Sequence, residues 1–206
     1  MSLTIKKSGG NFEPVPEGQF VARCYRVIDL GTQEVEWNGD IKHQQKVLVS
    51  WEILEDGVRM DNGEPYTINK TYTASLHEKS SLHKDLVAWR GKPFSEQELM
   101  GFEMQDLLGT YCTLQIVHNE KNGRKFANVN AIMGTKERPT PVNDDVWFDI
   151  TKPDLKVLDS LGDYYKDKIT SSLDYFEANA VDEVDEEPVE PAAEDEDVDP
   201  TKMFDN

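Results

Sequence analysis

The chain has 206 residues, and its 22 Lys and Arg against 40 Asp and Glu give a formal net charge of −18. Hydrophobic residues make up 37% of it, including 8 Phe, 7 Tyr and 4 Trp, which excludes a wholly disordered chain. Because the sequence has no apolar run of about 20 residues, no signal-like stretch at its start and only two cysteines, we expect a cytoplasmic protein that does not enter membranes. The acidic total argues against a nucleic-acid partner, since proteins that bind this polyanion are usually basic.

The negative charge is unevenly distributed along the chain. Residues 181–206 contain 12 acids and one base, Lys202, for a net charge of −11, whereas residues 1–134 contain 18 acids and 15 bases, for a net charge of −3. The C-terminal stretch also has three prolines and a single aromatic residue, Phe204. Such a segment cannot bury enough apolar surface to offset its chain entropy, so we expect it to be disordered. The charge argument against nucleic acid therefore does not apply to residues 1–134.

Three stretches in the first third of the chain alternate with a period of two, which predicts β-strands. They span residues 20–30, 46–54 and 66–74, and the third is rich in Thr, Tyr and Ile. Strict alternation in the first strand places Phe20 on one face with Ala22 and Cys24. The opposite face would then carry Val21, Arg23, Tyr25 and Val27.

The period then changes to that of helices. Ser81 as the N-cap and Gly91 as the end bound one predicted helix. The sequence Ser95-Glu96-Gln97-Glu98 is a capping box, which predicts a second short helix. Helical structure is expected to resume over residues 104–108.

Two further strands follow, at residues 111–118 and 124–133, and Asn122-Gly123 between them is a strong hairpin signal. Three strands, a helical insert and two strands are the order of the OB-fold, a five-stranded Greek-key barrel. The expected fold class is therefore mainly β with helices, an OB-fold-like barrel with its helical insert between strands 3 and 4. An open α+β sheet built from the same elements is the alternative.

We expect three parts along the chain: the barrel at 1–134, a linker and helical extension at 135–178, and the disordered acidic tail at 179–206. The extension contains apolar residues at helical spacing, namely Leu155, Leu158, Leu161, Tyr165 and Ile169. A stripe of this kind usually packs on its own domain, so we expect it to cover the barrel. A homodimer contact is the alternative.

The sequence shows no arrangement typical of an enzyme. The four histidines lack metal-site spacing, and phosphate-binding loops and a nucleophile elbow are missing. Asp144-Asp145 could be imagined as a pair of metal ligands, but its neighbours are rich in Pro and Asn, which is typical of a solvated loop. We therefore expect no catalysis, metal or cofactor, and a metal-dependent hydrolase is the least favoured hypothesis.

Cations and aromatic residues recur instead where the ligand groove of an OB-fold would lie. That groove is formed by strands 2 and 3 and flanked by the loops between strands 1–2 and 4–5. Single-stranded nucleic acid needs basic groups beside its phosphates and flat rings for its bases, each stack contributing about 1–3 kcal/mol. The candidate DNA-binding residues are Arg23, Tyr25, Trp37, Lys42, Lys46, Lys70, Tyr72, Lys121, Arg124, Lys125 and Phe126.

Core roles compete with DNA contact for some aromatic residues. Trp51 alternates with apolar residues of the second strand, which favours the core over a stacking surface. Tyr72 shares a face with Ile68 and Ala74, so a half-buried position is nearly as plausible. Lys46 and Lys70 are also compatible with simple solvation.

Four segments carry a resemblance to a known family: Asn11–Gly18, Lys70–Ser80, Trp89-Arg90-Gly91, and Leu107–Cys112 with the following Asn122-Gly123 hairpin. Over roughly residues 10–175 the chain resembles the phage-encoded single-stranded-DNA-binding proteins of the OB-fold type. The resemblance implies a non-catalytic, sequence-tolerant binder of single-stranded DNA that serves replication and recombination in the host cytoplasm.

The tail resembles that of bacterial single-stranded-DNA-binding proteins, in which an acidic run ends in Phe. The residues concerned are Asp195, Glu196, Asp197, Asp199, Met203 and Phe204. Here Asp205 and Asn206 follow the Phe, which departs from that pattern. The tail is expected to dock replication or recombination proteins and to compete with DNA for cations of the barrel, and both effects should weaken with salt.

The net charge of −18 also motivates a second hypothesis. The chain would then be an acidic protein-interaction factor or a DNA mimic that does not bind nucleic acid. Binding to single-stranded oligonucleotides distinguishes the two hypotheses.

Overall fold

The computed structural model describes residues 14–175, which are mainly β; the predicted tail at 179–206 lies outside this range. The strands are β1 Gly18–Trp37, β2 Asp40–Ile53, β3 Thr67–Thr73, β4 Tyr111–Lys121, β5 Arg124–Gly134 and β6 Val146–Phe148. The helices are α1 Ser81–Arg90, α2 Glu96–Met100, a 3-10 helix Met104–Leu107, α3 Leu155–Ser160 and α4 Asp163–Thr170. Within the described range, none of these helices has the length and apolarity needed to cross a membrane.

The strands form one sheet in the order β3-β2-β1-β4-β5, with antiparallel neighbours, and β6 pairs in parallel with residues 26–28 of β1. The predicted order of three strands, helical insert and two strands is confirmed. Within residues 14–175 no ladder joins the edge strands β3 and β5, so hydrogen bonds do not close the sheet into a barrel. The closed barrel expected from the sequence is therefore not confirmed.

Local sequence signals account for the ends of several elements. Helix α1 is capped by Ser80, whose Oγ accepts a hydrogen bond from a backbone N–H, rather than by the predicted Ser81. The helix ends at Gly91 in the left-handed conformation, and Ser95 forms the predicted capping box of α2. At the β4–β5 hairpin, Asn122 and Gly123 have φ angles of 55° and 71°, the pair of positive values that a two-residue turn of this type requires.

The sheet separates two hydrophobic clusters. The inner cluster joins residues of all five main strands to α1, and Trp51 and Trp89 lie within it with ring centroids 5.7 Å apart. The prediction that Trp51 is a core residue is thus confirmed. The outer cluster packs the far face of β1 and β2 against β6 and the two last helices, through Ile28, Leu30, Leu48, Phe148, Ile150, Leu158, Leu161 and Ile169.

Strand β1 is irregular, and this changes which side chains share a face. Its register with β2 shifts between Cys24 and Arg26, so Val27 joins the inner cluster together with Cys24. Strict alternation places Val27 on the opposite face, and that prediction is wrong.

A second register shift in β1 lies around Gly31, where φ is +69° and an added Cβ would lie 2.5 Å from Ser172 Oγ. Only glycine fits this position without strain.

The apolar stripe of the C-terminal extension forms two short helices rather than one. Asp154 caps α3, and the chain leaves helical geometry at Leu161 and Gly162 before α4 begins. Leu158 and Ile169 are buried in the outer cluster, whereas Leu155, which belongs to the predicted stripe, is 62% exposed. The extension therefore packs on the outer face of β1 and β2, as the sequence predicted.

Candidate nucleic-acid interface

Arg23 lies in a buried ion-pair network rather than on a binding surface. Its Nη1 donates to Glu52 Oε1 at 3.0 Å and to the Asn143 carbonyl at 3.0 Å, and its Nη2 pairs with Asp145. Its hydrogen-bond donors are directed at groups of this chain, and only 7% of the residue is exposed. The side chain therefore has no free surface for a phosphate, which removes Arg23 from the candidate interface.

Tyr25 and Tyr72 are also buried, at 8% and 3% exposed, so neither ring presents a face for a base. The Tyr72 hydroxyl donates to Asp85 Oδ2 at 2.8 Å, and burial, with Asp85 beside it, raises the pKa of the phenol well above its ordinary value. Tyr72 therefore remains a protonated donor within the core. The half-buried alternative weighed from the sequence is closer to the structure than the stacking role.

Lys70 lies on the inner face of β3 and is tied to its neighbours. Its Nζ donates to Asp85 Oδ2 at 2.7 Å and reaches the Val129 carbonyl of β5 at 3.4 Å. Asp85 thus accepts hydrogen bonds from both Lys70 and Tyr72, and its charge offsets that of the lysine. This arrangement links α1, β3 and β5 and gives Lys70 a structural role.

The predicted cations in the two hairpins are exposed. Lys42 lies in the ribbon of β1 and β2, opposite Val35. At the end of the β4–β5 hairpin the exposed residues are Lys121, Arg124, Lys125 and Phe126, and the Phe126 residue is 48% exposed. Trp37 ends β1, where it pairs with Asp40. These hairpins keep their predicted place as candidate flanks of a groove.

Lys46 belongs to a cluster of cations on the outer side of the sheet. Its Nζ donates to Gln44 Oε1 at 2.6 Å and to Thr73 Oγ1 at 2.8 Å. Partial burial, together with repulsion from Lys168 of α4, lowers the pKa of Lys46. Two ammonium groups that repel each other on one face form a place where an anion is stabilised.

Arg26 extends this cluster along the sheet. Its Nε donates to Ser50 Oγ of β2 at 3.1 Å, and its Nη2 lies 3.4 Å from Asn69 Oδ1 of β3. Arg26 has no carboxylate partner among the described ion pairs, so its charge is not neutralised by a contact within residues 14–175.

Two tyrosines of α4 complete the surface. Tyr164 is 66% exposed, with Lys168 Nζ 5.5 Å from its ring centroid. Tyr165 packs against Tyr164 edge to face, and burial raises the pKa of its hydroxyl although a hydrogen bond to Asn69 opposes this effect. We call this surface the outer patch and define it by Arg26, Lys46, Asn69, Thr73, Tyr164, Tyr165 and Lys168.

Sequence reasoning found one cation of the outer patch, Lys46, and missed the others. The apolar spacing of the extension predicts only which residues of α4 pack on the sheet, and it leaves out Tyr164 and Lys168, which lie at i and i+4 on a neighbouring side of that helix. Arg26 was missed because strict alternation ignored the register shift beside it. The polar side of the last helix is the feature of the sequence from which Tyr164 and Lys168 could have been predicted as surface residues.

Among the residues that the structure describes, neither a cluster of metal ligands nor a cysteine thiol of low pKa is present. Among residues 14–175 no three His, Cys, Asp or Glu side chains are placed to hold a metal ion. Cys24 and Cys112 are buried on neighbouring strands, and burial raises the pKa of the Cys24 thiol to about 12, so it stays protonated. No protein-family model and no curated protein matches this chain in sequence comparisons.

Proposed function

We propose that the chain is a non-catalytic, sequence-tolerant single-stranded-DNA-binding protein with an OB-fold-like body that serves DNA replication or recombination. The observation that carries the proposal is the outer patch, where three cations from β1, β2 and α4 and an exposed tyrosine of α4 lie on the outer side of the sheet in an otherwise acidic protein. The cations can bind phosphates and the ring can stack on a base. Neither of these two interactions requires a particular base sequence.

The strand order supports an OB-fold-like body. In that fold β1 lies between β2 and β4, and β3 and β5 face each other to complete the barrel. Here β3 and β5 are the two edges of the sheet, α1 contacts both, and the Lys70 Nζ reaches from β3 to the Val129 carbonyl. We interpret the arrangement as this Greek key with the last ladder replaced by side-chain contacts.

The outer patch is electrostatically suited to a phosphate backbone. A phosphate near Lys46 and Lys168 would relieve their mutual repulsion and raise the lowered pKa of Lys46, so binding and protonation favour each other. Arg26 and Tyr164 provide a planar cation and a ring on the same face. Counterions released from the DNA add a favourable term that declines with salt.

The two hairpins extend the proposed interface. Lys42 on the first hairpin and Arg124 and Lys125 on the second are exposed and have no carboxylate contact among the described ion pairs. Phe126 adds a half-exposed ring beside the second pair. In this proposal the strand crosses the outer patch and the hairpins hold its flanking phosphates.

The acidic C-terminal stretch supplies a second element of the proposal from the sequence alone. Asp195–Asp199 followed by Met203 and Phe204 combines a polyanion with an apolar end. We propose that it docks replication or recombination proteins in the cytoplasm. We also propose that it competes with DNA for the outer patch.

Titration of a fluorescent oligo-dT with the full chain tests the proposal. Lys46→Ala combined with Lys168→Ala should weaken binding about tenfold or more, because it removes two phosphate partners. The matched control replaces Lys152 and Lys156, exposed cations outside the outer patch, by Ala and should bind as the parent does.

A truncation ending at Asn179, which removes the acidic stretch, should bind oligo-dT more tightly than the full chain at low salt. If neither the full chain nor the truncation binds at low salt, the protein is instead an acidic interaction factor or DNA mimic.

A further inference from the structure

A cavity is lined by residues that do not belong to the outer patch. It has a volume of about 700 Å³ and lies between the C-terminal end of α1, the turn into β4 and the residues that follow β5. Its lining includes Arg90, Phe102, Tyr111, Lys136 and Arg138. Its volume is in the range of pockets that hold small organic ligands, and its walls combine rings with cations.

The guanidinium of Arg90 is held rigidly at the wall of this cavity. It lies over the Phe94 ring at 4.3 Å and near the Phe102 ring at 5.7 Å, and its Nη2 pairs with Glu98. Its Nη1 is buried and has no hydrogen-bond partner among the described residues. An unsatisfied buried donor is costly, so the guanidinium of Arg90 keeps an unused hydrogen-bonding position beside the cavity.

Arg138 provides a flat, exposed cation on another wall. Its guanidinium lies over the Tyr111 ring at 5.0 Å, and its Nη1 donates to the carbonyls of Thr135 and Glu137 at 2.9 and 2.7 Å. The Tyr111 hydroxyl donates to the Pro139 carbonyl at 2.9 Å. Hydrogen bonds to backbone carbonyls thus hold both the Arg138 guanidinium and the Tyr111 ring. A base can stack on the face of the guanidinium that is turned away from Tyr111.

The floor of the cavity is preformed. Trp89 Nε1 donates to the Tyr111 carbonyl at 2.9 Å, which joins α1 to β4. At Gly134 an added Cβ would lie 2.8 Å from the Trp89 carbonyl, so the end of β5 approaches α1 as closely as a glycine permits. A ligand would therefore meet walls whose spacing is already set.

The charges of the lining favour an anion over a cation. Three lining residues, Arg90, Lys136 and Arg138, are cationic, and one, Asp106, is a carboxylate. Lys136 has no carboxylate contact among the described ion pairs, so its charge is available to a ligand. A peptide carboxylate without a neighbouring aromatic ring would use the cations but not the flat face of Arg138, whereas a nucleotide uses both.

We propose that this cavity binds one nucleotide of single-stranded DNA. Its phosphate lies among Arg90, Lys136 and Arg138, and its base stacks on the Arg138 guanidinium over Tyr111. The inference rests on the proposed function and adds a site that shares no lining residue with the outer patch. The site holds a single nucleotide independently of the strand that crosses β2 and β3.

Titration of the full chain with dTMP, thymidine or inorganic phosphate tests this site, observed through the indole N–H of Trp89 and the amides of Gly109 and Gly134 by NMR. We expect dTMP to shift these signals, and thymidine and phosphate each to bind at least about tenfold more weakly, since each carries half of the recognised group. Lys136→Gln and Arg138→Ala should each weaken dTMP binding about tenfold, while the Lys152→Ala, Lys156→Ala control should not.

The dTMP titration tests the cavity separately from the oligo-dT titration, which tests the outer patch. Loss of oligo-dT binding in the outer-patch variant with an unchanged dTMP response would support the cavity as a separate site. Absence of any shift with dTMP, or equal responses to dTMP and inorganic phosphate, would overturn the nucleotide assignment. Shifts of the Trp89 signal on removal of residues 180–206, without a response to dTMP, would assign the cavity to the acidic tail and overturn the proposal as well.

Discussion

Arg23 Nη1 donates to Glu52 Oε1 at 3.0 Å, and the two side chains are 9% and 0% exposed. The other carboxylate oxygen of Glu52 accepts from the backbone N–H groups of Val142 and Asn143 and from the Asn143 amide at 2.8–3.3 Å. Both oxygens of this buried carboxylate therefore accept hydrogen bonds. The pair fastens the segment that precedes β6 to the outer face of β1 and β2.

Replacing Glu52 by Ala is expected to lower the free energy of unfolding by about 3–5 kcal/mol, because the Arg23 charge would remain buried with Asp145 as its one carboxylate partner among residues 14–175. Urea denaturation measures the loss. The double variant Arg23→Met, Glu52→Leu should recover part of it, since it removes both buried charges and keeps apolar volume, although it leaves the Val142 and Asn143 donors without their acceptor. A loss below about 1 kcal/mol in Glu52→Ala would contradict the structural role of the pair.

The misplacement of Arg23 and Tyr25 in the predicted groove has a physical cause. A period of two tells which residues share a face of a strand, but not what covers that face. Here the cover comes from residues 142–148, about 120 positions further along the chain, and from the helices that follow. No local pattern in β1 contains that information.

The Lys70 ammonium is expected to contribute to stability rather than to DNA affinity. Lys70→Met should leave oligo-dT affinity unchanged, because Lys70 bonds to Asp85 on the inner face of β3. Tyr72→Phe should cost about 1 kcal/mol of unfolding free energy through the lost hydrogen bond to Asp85. Fluorescence titration and urea denaturation of the same samples separate the two effects. A Lys70→Met protein that folds normally but binds DNA several-fold more weakly would return Lys70 to the interface.

Caps and turns were predictable because their chemistry is local. The capping box needs only Ser95 and Glu98, and the hairpin turn needs only the positive φ angles of Asn122 and Gly123. Both are therefore predictable from the sequence alone. The outer patch was not predictable in the same way. It joins Arg26, Lys46 and Lys168 from three elements, and only the packing of α4 over the sheet brings them together.

The β4–β5 hairpin is expected to contribute salt-dependent affinity. Arg124→Ala with Lys125→Ala should lower the slope of log affinity against log salt by about 1.4 for single-stranded DNA, which is about 0.7 for each phosphate that the hairpin no longer neutralises. Both side chains are exposed, so unfolding free energy should change little. Titrations over a series of salt concentrations give the slope. An unchanged slope would place the hairpin outside the interface.

Gly31 and Gly57 form a matched pair for testing the packing of the C-terminal extension. Both have positive φ, but a Cβ at Gly31 would meet Ser172 and Ile150 within 2.7 Å, whereas no atom lies within 4 Å of a Cβ at Gly57. Gly57→Ala should cost about 1–2 kcal/mol from the left-handed conformation alone. Gly31→Ala should cost about 1–3 kcal/mol more, from overpacking. Equal losses in urea denaturation would show that the extension does not pack closely on β1.

The Glu98 carboxylate is expected to make stability depend on pH in the acid range. The hydrogen bond from the Ser95 backbone N–H, then the Ser95 hydroxyl and the charge of Arg90, lower its pKa from 4.5 to about 2. A lowered pKa in the folded state means that the stabilisation is fully present above pH 4.5 and is lost as the pH falls through about 2. Urea denaturation should therefore show Glu98→Gln less stable than the parent by a constant amount above pH 5, with the difference shrinking between pH 4.5 and 2.

Ser95→Ala in the Glu98→Gln background controls for the cap itself, since it removes a neutral hydrogen bond and its effect should not vary over that range. A difference between parent and Glu98→Gln that stays constant down to pH 2 would show that the carboxylate is not held in its charged form by the capping box.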